Sequence, residues 1–124
     1  MRIISGECRG RNLVQIEGRD IRPTSDRVRE ALFNILGTRI KKARVLDLFA
    51  GTGALGLEAL SRGASHGVFM DKSESACQAI RKNLDLCRMA DRAELIRRDI
   101  ASDPFPHPIA PKPFDLVFMD PPYD

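Results

Sequence analysis

Asp120, Pro121, Pro122 and Tyr123 are the residues of this chain whose types and order could best do chemistry. An exocyclic amino group on a planar base shares its lone pair with the ring and is a poor nucleophile. The Asp120 carboxylate and the Pro121 carbonyl could accept its two N–H hydrogens and turn that lone pair out of the plane. Pro121 and Pro122 stiffen the backbone and offer carbonyls without competing N–H donors. Tyr123 supplies an aromatic face on which the base can stack at reaction distance. A base held in a folded nucleic acid would have to be flipped out to reach such a pocket. The plainer reading of the same residues is a proline-stiffened surface turn.

A second constellation lies upstream. Residues 45–56, Val-Leu-Asp-Leu-Phe-Ala-Gly-Thr-Gly-Ala-Leu-Gly, leave an apolar run through Asp47, turn on glycines and re-enter a helix-like pattern. A strand, tight loop and helix start in that order surround a ligand with backbone N–H groups and a positive dipole end. Gly51, Gly53 and Gly56 match the dinucleotide spacing, and Asp71 follows about 20 residues later, where a ribose-binding acid belongs. Asp47 argues against a dinucleotide, because its carboxylate at the mouth of the loop would repel a pyrophosphate. S-adenosylmethionine fits better: its ammonium and sulfonium are cationic, its carboxylate can sit on the loop amides, and its ribose presents a diol to Asp71. A nicotinamide-dependent oxidoreductase and a glycine turn that binds nothing remain as alternatives.

These residues need a scaffold that gathers them, and the hydrophobic pattern supplies one. Strands are predicted at 44–48, 67–70, 93–98 and 114–119, and helices at 54–62 and 73–89, the latter capped by Ser73. Alternating strands and helices imply a parallel sheet with right-handed crossovers, so the fold class is α/β and Rossmann-like. Ligands bind such sheets at the carboxyl ends of the strands. Asp47, Asp71, Asp99 and Asp120 each close one predicted strand there. The proline-rich stretch 104–113 predicts an irregular loop. Upstream, residues 2–16 read as a β-hairpin carrying Arg9 and Arg11, 18–20 as a turn, and Arg22-Pro23 as extended chain. Thr24, Ser25 or Asp26 would cap a helix whose Val28, Leu32, Ile35 and Leu36 face the body, with Gly37 as its stop. Arg27 and Arg29 would then face outward.

Length and composition bound the answer. The chain has 124 residues, enough for one domain with a real core. No apolar stretch is long enough to cross a membrane, and the first residues are too polar for a signal peptide. Cys8, Cys77 and Cys87 are odd in number and lack close pairing, which suggests reduced, buried thiols in a cytoplasmic protein. His66 and His107 stand apart, so no metal site is indicated. Residues 1–44 hold 11 Lys/Arg against 5 Asp/Glu, a charge of +6, while residues 45–124 hold 9 against 12, a charge of −3. A basic front end (1–43) joined to an acidic body (44–124) suggests that the front end meets a polyanion.

Asp47-Leu-Phe-Ala-Gly-Thr-Gly53, Asp71, Asp99 and Asp120-Pro-Pro-Tyr123 resemble the ordered motifs of class I S-adenosylmethionine-dependent amino-methyltransferases. The front end, Arg2-Ile-Ile-Ser-Gly-Glu-Cys-Arg-Gly-Arg11 and Arg22-Pro-Thr-Ser-Asp-Arg-Val-Arg-Glu-Ala-Leu-Phe-Asn34, resembles the RsmD family of 16S ribosomal RNA guanine-N2 methyltransferases. That resemblance covers the whole chain. It implies that Asp47 and Gly51, Thr52 and Gly53 hold the methionine end of the cofactor, Asp71 the ribose, and Asp99 the adenine amino group, with Ile100 beside the ring. Phe49, Ala50 and Lys72 complete the cofactor set. Asp120, Pro121, Pro122 and Tyr123 would form the amino-group site. Arg9, Arg11, Arg22, Arg27 and Arg29 would meet phosphates of ribosomal RNA or the small ribosomal subunit.

Members of that family continue beyond the Asp-Pro-Pro-Tyr motif into three more strands. The chain therefore reads as the front of the domain, with largely complete cofactor contacts, a bare fourth strand and a target-base pocket lacking one wall. Adenine, cytosine or a glutamine side chain could use the same Asp-Pro-Pro-Tyr logic, and only the front end selects guanine. A non-catalytic RNA-binding module is the alternative from outside the enzymes.

Overall fold

In the computed structural model, the described residues are 1–16, 25–100, 102 and 113–120. The strand β1 (Arg44–Leu48) is at the centre, and four of its five residues are buried. Its run of Val45, Leu46 and Leu48 suits a strand covered on both faces, as a central parallel strand must be. The helix α2 follows at Ala54–Ser61, then β2 (His66–Asp71), α3 (Glu74–Leu86), β3 (Ala93–Arg97) and β4 (Leu116–Met119). All pairings are parallel and the order is β3-β2-β1-β4. The chain thus steps outward from β1 to β3, then returns to the other side of β1 for β4. That reversal makes a crevice at the carboxyl ends of β1 and β4, where sheets of this kind bind ligands.

The sequence reading places these elements within two or three residues, and Ser73 caps α3 as expected by accepting the Ala76 N–H. All three cysteines are free and buried. The turn at 18–20, the Arg22-Pro23 segment and nearly all of the proline-rich stretch lie outside the described residues. Among the described residues no helix is long and apolar enough to cross a membrane.

The front end forms the expected hairpin in short form and departs from expectation at the helix that follows. Arg2 faces Asn12 in an antiparallel bridge, and the Ile3 N–H donates to the Arg11 carbonyl, the Gly10 N–H to the Ile3 carbonyl and the Leu13 N–H to the Met1 carbonyl at 3.0, 2.8 and 2.7 Å. Its turn also docks on α2: the Glu7 N–H donates to the Ser61 carbonyl at 2.9 Å and the Cys8 N–H to Ser61 Oγ at 2.9 Å. Gly6 makes this approach feasible, since a Cβ there would lie 1.9 Å from the Ser61 carbonyl oxygen. The departure concerns α1 (Asp26–Leu36), capped by Ser25. Val28 and Ile35 were expected to face the body but are 54% and 78% exposed, whereas Arg29 and Phe33 are buried.

Glu58 explains that rotation. It is fully buried on α2 and accepts from the Ile4 N–H (2.9 Å), the Ser5 N–H (3.1 Å), Arg62 Nε (2.8 Å) and Arg29 Nη1 (3.4 Å). A buried carboxylate demands cations and donors, and α1 turns to deliver one. Arg29 also pairs with Asp26 and donates to the Arg2 carbonyl. Phe33 lies beneath the Arg62 guanidinium and against Phe118 of β4. Ile3, Cys8, Leu13 and Phe33 therefore share one apolar core with Val45, Leu57 and Phe69.

Removing Glu58 leaves the buried Arg29 with only the half-exposed Asp26 for a counter-charge and two N–H donors without their acceptor. Glu58→Ala is expected to cost about 3–5 kcal/mol in urea unfolding, with loss of protection first at the amides of Ile4 and Ser5.

Candidate functional site

The loop between β1 and α2 contains three left-handed residues: Phe49 (φ +55°), Gly51 (φ +59°) and Gly53 (φ +83°). Phe49 is costly in that region, and such strain concentrates at functional turns. The loop is fastened by the Ala50 N–H to the Met70 carbonyl and the Gly53 N–H to the Ala50 carbonyl, both at 2.8 Å. Gly53 begins α2 with no side-chain cap, so the positive end of the helix faces the crevice.

Asp47 reaches into that junction. Its Oδ2 accepts the Gly56 N–H at 3.0 Å. Burial pushes its pKa from 3.8 up to about 7; the Gly56 N–H opposes the rise, and the carboxylates of Asp120 and Asp71 add to it. Asp71 and Asp120 are therefore both close enough to act on Asp47. Gly56 is required by packing, since a Cβ would sit 2.4 Å from Phe69 Cε1 and 3.2 Å from Asp47 Oδ2. The third glycine of the spacing thus serves the seating of α2 on β2.

Asp71 ends β2 and is nearly buried. Its Oδ2 accepts the Gly51 N–H at 3.0 Å and its Oδ1 the Ser73 N–H at 2.9 Å. Each oxygen keeps a second lone pair, which is what a vicinal diol needs. Lys72 is exposed beside it, and its carbonyl accepts from Arg97 Nε at 3.1 Å. Asp99 is exposed past the end of β3. Ile100 and Phe49 pack on the apolar patch of Leu46, Leu48, Val68 and Met70, giving the crevice a greasy wall. Ala50, Gly51 and Thr52 are half-buried along its rim.

Asp120 follows β4 directly. The register pairs Leu48 with Met119, so the residues after both strands emerge at one level. Pro121, Pro122 and Tyr123 lie outside the described residues, as does Arg22. Arg9, Arg11 and Arg27 are exposed, in keeping with a role toward a polyanion. Arg29 is a correction: it is fully buried and neutralises Glu58, so it holds the front end onto the body and is not available to phosphates. Among the described residues, no three His, Cys, Asp or Glu side chains are grouped to hold a metal ion.

Asn83 was not anticipated. It is completely buried on α3, and its Nδ2 donates to the Thr52 carbonyl of the loop at 2.8 Å. The available signal was a polar residue at helical spacing among Ala76, Ala79, Ile80 and Leu84.

A family described as Conserved hypothetical protein 95 matches residues 1–124. The chain belongs to that family. Its members' names agree with the RsmD resemblance of the motifs. Ribosomal RNA small subunit methyltransferase D of Haemophilus influenzae is 40% identical over 124 residues, covering 99% of this chain and 64% of the relative. YlbH of Bacillus subtilis is 42% identical over 125 residues, covering 99% of this chain and 67% of the relative. The solved structure of yhhF from Escherichia coli superposes with a TM-score of 0.82 at 41% identity, over 99% of this chain and 64% of that one. The chain thus spans about two thirds of the length of these family members, and over that span its fold is the Rossmann-like methyltransferase fold.

The position of Asp47 gives stability a definite pH dependence. The folded protein keeps a proton that the unfolded chain releases, so stability falls as pH rises from about 4 to about 7. A shift of this size corresponds to a loss of up to about 4 kcal/mol. Asp47→Asn keeps an oxygen for the Gly56 N–H without the charge. It is expected to be more stable than the parent at pH 8, and to flatten the dependence in denaturant titrations at pH 5 and pH 8.

Proposed function

We propose that the whole protein transfers a methyl group from S-adenosylmethionine to the exocyclic N2 amino group of a guanine in 16S ribosomal RNA. The observation that carries this reading is the meeting of Asp47 and Asp120 at the β1–β4 crevice, beside an uncapped helix start. The names of the family members support it: the Haemophilus influenzae relative is named ribosomal RNA small subunit methyltransferase D.

The residues fit the methyl donor by charge and shape. Asp47 is a buried carboxylate whose pKa near 7 lets an adjacent cation draw off its proton. The amides of the glycine loop would receive the donor's carboxylate, Asp71 its diol, and Phe49 and Ile100 would provide an apolar surface for a flat ring. Gly51, Thr52 and Gly53 line the methionine end, with Ala50 beside them. Lys72 stands at the ribose, and Asp99 receives the adenine amino group. When bound, the donor supplies an electrophilic methyl group on a sulfonium.

The remaining work falls to Asp120, Pro121, Pro122 and Tyr123. The Asp120 carboxylate and the Pro121 carbonyl accept the two amino hydrogens and aim the nitrogen lone pair. Tyr123 stacks on the base and fixes its distance. The methylated nitrogen becomes acidic after transfer, so its proton leaves without a dedicated base. Arg9, Arg11, Arg22 and Arg27 serve as phosphate contacts of the RNA, which position the substrate without reading its sequence. The reaction takes place where ribosomal RNA is assembled, in the cytoplasm.

An oxidoreductase reading has less support. A diphosphate at the start of α2 would compete with Asp47 for the Gly56 amide and meet three carboxylates. Thermal-shift measurements with S-adenosylhomocysteine and with NAD separate the two, since a ligand of the folded state raises its melting temperature. S-adenosylhomocysteine alone is expected to stabilise. A stabilisation by NAD alone would replace the methyltransferase reading, and stabilisation by neither would favour an RNA-binding module.

The substrate is tested by mass spectrometry of small-subunit rRNA from cells lacking the parent gene, where one methylguanine is expected to disappear. The role of Asp47 has its own signature. A cationic donor selects the ionised carboxylate, so S-adenosylmethionine affinity should rise about tenfold between pH 6 and pH 8. Asp47→Asn should abolish that rise in calorimetric titrations.

A further inference from the structure

Asn83 makes three hydrogen bonds with one side-chain amide. Its Oδ1 accepts the Val14 N–H at 2.6 Å, and its Nδ2 donates to the Val14 carbonyl at 3.2 Å and to the Thr52 carbonyl at 2.8 Å. The amide therefore pairs with both backbone groups of Val14, as a neighbouring strand would, and spends its second N–H on the glycine loop. Other side chains of similar size fail here. Aspartate accepts but cannot donate, so two carbonyls would face a carboxylate. Leucine would leave three backbone groups without partners in a buried place.

Thr52 lies between the two left-handed glycines Gly51 and Gly53. Its carbonyl belongs to the same peptide plane as the Gly53 N–H, which donates to the Ala50 carbonyl. Glycine permits such planes to rotate at little steric cost, so an external hold on the carbonyl decides the loop's shape. Val14 lies at the other end of the same amide, in the segment that carries Arg9 and Arg11.

We infer that Asn83 is a positioning residue: it fixes the Thr52–Gly53 peptide plane of the cofactor loop and ties that plane to the arginine-bearing front segment. This rests on the cofactor reading proposed above. Because binding linkage is reciprocal, a ligand that orders the loop also orders Val14, and a polyanion that orders the front segment also favours the cofactor.

The test uses the 124-residue chain with S-adenosylhomocysteine as the probe. Asn83→Asp is expected to weaken its binding at least tenfold in calorimetric titrations. Leu84→Ala, a core change one residue along the same helix, should lower the melting temperature and leave the affinity within twofold. In the unaltered chain, saturating S-adenosylhomocysteine should slow hydrogen exchange of the Val14 amide at least tenfold, a readout that requires no variant to fold. Tight binding by Asn83→Asp, or a Val14 amide indifferent to the ligand, would overturn the role of Asn83 and leave the cofactor reading intact. An unaltered chain that binds no S-adenosylhomocysteine would overturn both.

Discussion

A carboxylate almost without water, Asp47, holds the Gly56 N–H at the junction of β1 and α2. Around that bond the site takes shape. It sets where α2 begins, and Gly56 lets the helix sit close enough on Phe69 for the bond to form. The seat of α2 then fixes Glu58 and Ser61, onto which the front segment is laid. Burial makes the bond costly near neutral pH, because the acid must lose either its proton or its comfort. Sites that bind cations accept that kind of cost, since the ligand later returns the missing charge.

Much of this was legible in the sequence. The strands of the sheet are short apolar runs with an acid at or close to the carboxyl end, the edge at which a parallel sheet meets ligand. The glycine loop declared itself as well: its backbone needs left-handed residues, and only glycine takes that shape cheaply. Ser73 was readable as a cap because capping is local, an affair of residues three apart.

What escaped was decided at long range. Arg29 has the spacing of an outer-face residue and the chemistry of a phosphate ligand, yet a carboxylate 29 positions later takes it inside. Val28 and Ile35 have the reverse history, since the face that Glu58 claims for Arg29 leaves them in water. The hairpin formed as read, but the docking of its turn on Ser61 of α2 is a contact 53 positions long that its own pattern could not announce. Asn83 looked like one more polar helix residue, and only the folded chain places Val14 and Thr52 on either side of it. In each instance helical or strand periodicity was read correctly while a buried polar group, invisible to periodicity, overruled the face.

The front segment's fastenings also bear on the order in which the molecule forms. Ile4 bonds to a residue 54 positions ahead and Val14 to one 69 positions ahead. Closing loops of that length carries an entropic cost that local contacts do not. During synthesis Ile4 and Val14 are made before Glu58 and Asn83, so the front segment cannot take its seat until the chain through Asn83 exists.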